Sequence, residues 1–165
     1  MRLGAIAGLG FPRPFAVEAL AKVDRWTFGL EYGFLPTTTI DAVHASMWSL
    51  AADARLSPFR GAFFIGVLAG RQHLAGGTSV SLGSFGSASE ELTFDSWFVN
   101  PRLGFLWTPR AGVAFGIDAG VQIPLVTVLS STWPLSLEPA VARRVDALGR
   151  TALPTVDLLR LGFLF

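Results

Sequence analysis

Two groups of residues in this 165-residue chain could do chemistry. The first is His44-Ala45-Ser46. On an extended strand, residues two apart share a face, so the imidazole of His44 could serve as a base toward the Ser46 hydroxyl. Nucleophilic catalysis also needs a third group to orient the base. Asp41 falls on the opposite parity, Glu90 and Glu91 fall in a separate segment, and Met47 follows the serine. The plainer account of the pair is a polar step at a strand end, so an enzyme reading ranks second. The other group is charged: Glu18, Lys22, Glu31, Asp53, Arg55, Arg102, Asp118 and Arg160. All eight share strand parity with Gly, Ala and Ser. Four are acidic and four basic, and buried charges must pair or cost several kcal/mol. A balanced set therefore suits a closed, ion-paired interior. With no cysteine and two histidines far apart in sequence (His44, His73), no metal-ligand motif arises, and no cofactor is expected.

The elements that carry these residues repeat with period two, which is the signature of strands. In Trp26–Phe34, Trp26, Phe28, Leu30, Tyr32 and Phe34 alternate with Thr27, Gly29, Glu31 and Gly33. In Gly112–Pro124, Val113, Phe115, Ile117, Ala119, Val121 and Ile123 alternate with small or polar residues. The same split recurs over Leu3–Phe11, Phe15–Val23, Ser46–Leu56, Phe63–Gly70, Val99–Trp107 and Val156–Phe165, giving eight strands in one domain, residues 1–165. The small-residue parity is expected to include Leu20, Phe64, Leu68, Leu106, Leu158 and Leu164, with Asp157 on the apolar parity. Prolines mark the connections. Pro101 alone falls inside a strand, where its missing N–H predicts a bulge or a strand boundary. Tight turns at Asp24-Arg25, Ser57–Arg60 and Thr108–Arg110 alternate with a short link at Pro12–Pro14 and loops at 35–39, 73–91 and 125–154. The last loop is expected to hold a short helix over 139–148, with Pro139 at its start and Val141, Val145 and Leu148 on one face.

Composition says which way the strands face. Hydrophobic residues make up 51% of the chain and charged residues 15%, against a usual charged share of about 25%. Yet the longest apolar run, Ala62–Gly70, is far short of the roughly 20 residues a spanning helix needs. A net charge of +1, with twelve Arg and one Lys scattered, gives no footprint for nucleic acid. The Met1–Ala7 stretch is too short for a secretory leader, so an exported chain is expected to be a trimmed form. Eight antiparallel strands can close with apolar residues inside, as in a soluble barrel, or outside, as in a membrane barrel. Here one parity is Phe, Trp, Leu and Val, and the other is mostly Gly, Ala and Ser with paired charges. A water-facing surface would not be glycine-rich. The narrow interior of an eight-stranded barrel would be. The expectation is an all-β, up-and-down transmembrane barrel with its charges in the lumen.

On these strands, and on the C-terminal run VDLLRLGFLF, the chain resembles bacterial outer-membrane β-barrels. It is most like the small eight-stranded class that includes the transmembrane domain of outer-membrane protein A. The resemblance implies that Leu159, Leu161, Phe163 and Phe165 form the signal read by the barrel-assembly machinery. It also implies an outer-membrane location with both termini and the short turns in the periplasm. Trp26, Phe63, Trp107 and Phe165 are then the periplasmic aromatic girdle, and Phe11, Phe34 and Trp48 the outer one. The expected partners are outer-membrane lipid, lipopolysaccharide (Arg71 being placed to meet its phosphates) and a surface ligand held by the long loops. The chain is expected to act as a monomer. Three functions follow: a structural or surface-interaction barrel without a wide pore, a small ion channel through the charged lumen, and a lipid A-modifying enzyme. For the last, His44 and Ser46 resemble the His-x-Ser of lipid A deacylases.

Overall fold

A computed structural model describes residues 1–40, 43–59, 61–81, 87–109, 112–131 and 151–165. The chain forms β1 (Arg2–Phe11), β2 (Phe15–Val23), β3 (Trp26–Ile40), β4 (Val43–Leu56), β5 (Phe63–Ser81), β6 (Ser87–Trp107), β7 (Val113–Ser131) and β8 (Leu153–Leu164). Each strand pairs antiparallel with its neighbour in sequence, and β8 pairs with β1 to close the barrel. Closure leaves no free sheet edge, which lets every ladder group be satisfied inside a hydrocarbon layer.

The alternation read from the sequence sets inside and outside. Leu3, Leu9, Phe28, Leu30, Leu103 and Leu161 are exposed on the outer surface, while Ile6, Leu20, Phe64, Leu68, Leu106 and Leu164 are buried inside. An apolar exterior around a partly charged interior inverts the arrangement of a water-soluble barrel. The short turns are tight. Asp24 adopts a left-handed conformation (φ 53°) that Asp tolerates better than most residues, and Gly112 has φ 88°.

The strands differ from the sequence reading in three ways. First, the expected loops at 35–39 and 73–91 are largely strand. β5 and β6 keep one register over 19 pairs, from Phe63↔Phe105 to Ser81↔Ser87. Their outer parts lack the apolar parity, so only backbone pairing marks them as strand. Likewise β7 continues through Pro124 to Ser131, and the helix expected over 139–148 lies outside the described residues.

Second, Pro101 causes no register shift. Bulges fall instead between Leu35 and Thr38 on β3, where Pro36 sits, and at Leu125 on β7, next to Pro124. Pro101 is accommodated without one: its β5 ladder is unbroken, while its pairing with β7 is interrupted. Third, β8 contains a bulge at Leu158. Leu159 pairs with Leu9 but Asp157 with Gly10, and Arg160 pairs with Gly116 but Asp157 with Asp118. One extra residue exchanges the faces of everything beyond it. Leu158 is therefore 72% exposed rather than inward, and Asp157 is buried rather than outward.

Candidate functional site

The interior is layered. Toward the turn end, Ile6, Leu20, Phe64, Leu106, Ala114 and Leu164 form an apolar plug. A second small apolar cluster, Ala51, Leu68 and Phe98, lies toward the loop end. Between and beside them lies a dense ion-pair network.

Arg160 of β8 is its hub. Its Nη1 is 2.6 Å from Glu18 Oε2, its Nη2 2.9 Å from Glu31 Oε2 and its Nε 2.8 Å from Asp118 Oδ2, and it also pairs with Asp157. Arg55 binds Glu18 and Asp53, each at 2.5 Å. Arg102 meets Asp53 at 2.8 Å and lies 3.6–3.9 Å from Glu18, Glu31, Asp118 and Asp157. Arg13 reaches Glu31 at 3.3 Å. All nine side chains are buried. Five carboxylates thus face four guanidiniums. The fork of Arg suits this role, since it can bond several carboxylates in fixed geometry where Lys offers one point charge. Aromatic rings cover two of the cations, Arg55 over Phe64 at 5.0 Å and Arg13 over Phe98 at 5.7 Å. Toward the loop end the lumen becomes neutral and polar. Arg13 donates to Gln122 (3.5 Å), Gln122 to Gln72 (2.9 Å) and Asn100 to Thr155 (3.1 Å).

Glycine makes the room. A Cβ on Gly29 would collide with the Glu18 carboxylate, and one on Gly33 would lie 2.6 Å from Ser49 Oγ and 2.8 Å from Arg13 Cδ. The strands facing the network therefore carry hydrogen where a side chain would displace a charge.

Seven of the eight charges read from strand parity meet in this network. Lys22 does not. It is half-buried at the turn end, where it donates to Thr108 Oγ1 at 3.1 Å. Two members escaped the sequence reading. Arg13 lies in the Pro12–Pro14 link, outside any alternation, and Asp157 is turned inward by the bulge. No spacing signal marked Asp157, since residues three apart on an unbroken strand face opposite sides.

His44 and Ser46 share the outer face of β4, opposite Gly77 and Ala75 of β5. No hydrogen bond joins them, and among the described residues no carboxylate contacts either. The described histidine–carboxylate pair is on the next strands. His73 Nδ1 is 3.2 Å from Asp95 Oδ2, Arg71 Nη2 is 2.8 Å from Asp95 Oδ1, and Trp48 stacks on His73 at 5.8 Å. The hydrogen bond from Arg71, helped by His73, holds the Asp95 carboxyl below its usual range. This clasp went unseen because His73 fell in the expected loop at 73–91 and Asp95 ahead of the strand expected from Val99, so neither was placed on a face with Arg71.

The aromatic residues sort to the two rims. Near the turns, Phe59, Phe63, Phe105, Trp107 and Phe115 form a continuous chain of ring contacts, with Trp26–Phe28 and Phe163–Phe165 further round. Toward the loops, Phe15, Phe34 and Tyr32 stack together, with Phe11, Trp48 and Trp97 exposed nearby.

Three solved structures share this architecture. CarO2 of Acinetobacter baumannii aligns at a TM-score of 0.55 and 12% identity, covering 100% of this chain and 99% of that one. CarO of the same organism aligns at 0.50 and 14%, covering 100% and 98%. A major outer membrane protein of Thermus thermophilus aligns at 0.50 and 14%, covering 99% and 98%. This is the fold of a small outer-membrane β-barrel. No protein-family model and no curated protein sequence matches the chain.

Proposed function

We propose that this chain is a structural, surface-presenting barrel of the outer membrane that does not conduct. The observation carrying this reading is the lumen. Arg102 and Arg160 with their five carboxylates bridge opposite walls, and the plug of Leu20, Phe64, Leu106 and Leu164 lies beneath them. An ion entering would have to displace buried ion pairs and then cross an apolar layer. The long strands β5, β6 and β7 carry the chain well past the aromatic rim on one end. At about 3.3 Å per residue, the 19 residues of β5 run roughly 60 Å, whereas a spanning strand needs about 9–11 residues. These extensions and the segments they bear are the surface available to a ligand.

The termini and short turns face the periplasm. The alternation of short and long connections supports this, as does the outward row of Leu159, Leu161, Phe163 and Phe165 beside the C-terminus, the set the assembly machinery would read. The test is planar-bilayer recording of purified, refolded protein whose native state is verified by heat-modifiable gel mobility. Flat current traces are expected. Discrete openings abolished by Arg102→Ala would overturn the closed lumen in favour of a channel.

A further inference from the structure

At the turn end, two cations stand side by side without a direct ion pair among the described residues. Arg2 of β1 and Lys22 of β2 are direct cross-strand partners, and like charges directly opposite each other weaken a ladder. Among the described residues neither makes an ion pair. Arg2 donates to the backbone carbonyls of Thr108 (3.2 Å), Pro109 (3.3 Å) and Leu164 (2.6 Å), and Lys22 donates to the Thr108 hydroxyl. These neutral acceptors orient the two cations without cancelling them.

Beside them opens a pocket of about 620 Å³. Lys22 and Thr108 line it from the lumen mouth, Arg25 from its turn, and Phe59 and Trp107 from the outer, aromatic side. Asp24 also borders it, with no ion pair to Lys22, Arg2 or Arg25 among the described residues. Phe59 is 69% exposed. The pocket therefore straddles the rim, cationic on one side and apolar on the other. Its complement is a molecule with an anionic head and a hydrocarbon body.

We propose that this pocket holds an anionic phospholipid. The phosphate lies on Lys22 and Arg25, with Arg2 adding positive charge behind Lys22, and an acyl chain lies along Phe59 and Trp107. This rests on the membrane reading above and adds a specific site to it. The Lys22 ammonium, which spends one of its three protons on Thr108, and the Arg25 guanidinium can make charge-assisted bonds to phosphate oxygens, and the aromatic wall suits a chain leaving at the bilayer interface.

Native mass spectrometry of the refolded barrel in non-ionic detergent tests this, with phosphatidylglycerol, phosphatidylcholine and inorganic phosphate added separately. Phosphatidylglycerol is expected to be retained about tenfold more tightly than phosphatidylcholine, a step of about 1.4 kcal/mol. Lys22→Gln should erase that preference, and Phe59→Ser should weaken retention of both lipids. Arg25→Gln, in an exposed turn, serves if Lys22→Gln does not fold. Equal retention of the two lipids, or an unchanged preference in the variants, would overturn the site. Inorganic phosphate binding as tightly as phosphatidylglycerol would overturn the lipid occupant. Heat-modifiable mobility reads the barrel itself on the same samples. A wild-type chain that stays soluble and monomeric without detergent would instead sink the membrane reading.

Discussion

Arg160→Met would test the lumen at its most connected point. The guanidinium meets Glu18, Glu31, Asp118 and Asp157, and no other network cation contacts all four at comparable distances. The methionine fills similar volume but leaves five buried carboxylates against three guanidiniums. Removing one partner of a buried pair costs about 3–5 kcal/mol, because the abandoned charge stays desolvated. That is a large share of a stability of about 5–15 kcal/mol. With a urea slope of about 2 kcal/mol/M, the unfolding midpoint should fall by roughly 2 M. The assay is urea unfolding in phospholipid vesicles followed by tryptophan fluorescence. Glu18→Gln in the Arg160→Met background removes one of the stranded charges and should recover stability, with a coupling of about 1–3 kcal/mol. A midpoint shift below about 0.5 M with strictly additive effects would mean that water already solvates these carboxylates. The lumen would then be open to water rather than sealed.

Other outcomes follow from the same geometry. Gly29→Val should destabilise the barrel by about 1–3 kcal/mol through collision with Glu18. Gly76→Ala, whose Cβ would meet only His44 O at 3.7 Å, should leave the urea midpoint unchanged. A nitroxide on Leu158→Cys should be relaxed by oxygen dissolved in the bilayer, whereas one on Leu164→Cys should be shielded. Equal relaxation at the two sites would refute the bulge. The Asp95 carboxyl is held below its ordinary value by Arg71 and His73, so its clasp contributes above the ordinary carboxylate pKa of about 3.9 and is lost as pH falls through the lowered one. The stability difference between wild type and Asp95→Asn should therefore be present at neutral pH and vanish in acid, as read by thermal midpoints across a pH series.

Alternation made the membrane half of each strand legible, and with it the lumenal side of Glu18, Glu31, Asp53, Arg55, Arg102, Asp118 and Arg160. It depends on lipid outside and a packed lumen inside. Where both faces of a strand are partly exposed, as over residues 73–77 of β5, side-chain type no longer reports which way a residue faces, and His73 was not placed beside Arg71 and Asp95. Parity also assumes an unbroken count. One added residue at Leu158 shifted the count and hid Asp157, and Arg13 lay in a link where no count applies. The catalytic hint at His44 and Ser46 had the right spacing for a shared face. Spacing carries no information about which carboxylate a neighbouring strand brings, and the structure gives the carboxylate to His73 instead.

The ion-pair hub also bears on how the chain folds. Arg160 meets Glu18 across 142 residues of sequence and Glu31 across 129, so its partners wait on the N-terminal strands until the C-terminal strand arrives. Before that, Glu31 lacks its principal counter-charge, Glu18 has Arg55 without Arg160, and the barrel is an open sheet. Closing the seam and neutralising the interior are one event. Contacts this distant carry a high loop-closure entropy and slow the search. In return, a half-built barrel has little to hold it in the bilayer, so completion should be close to all-or-none.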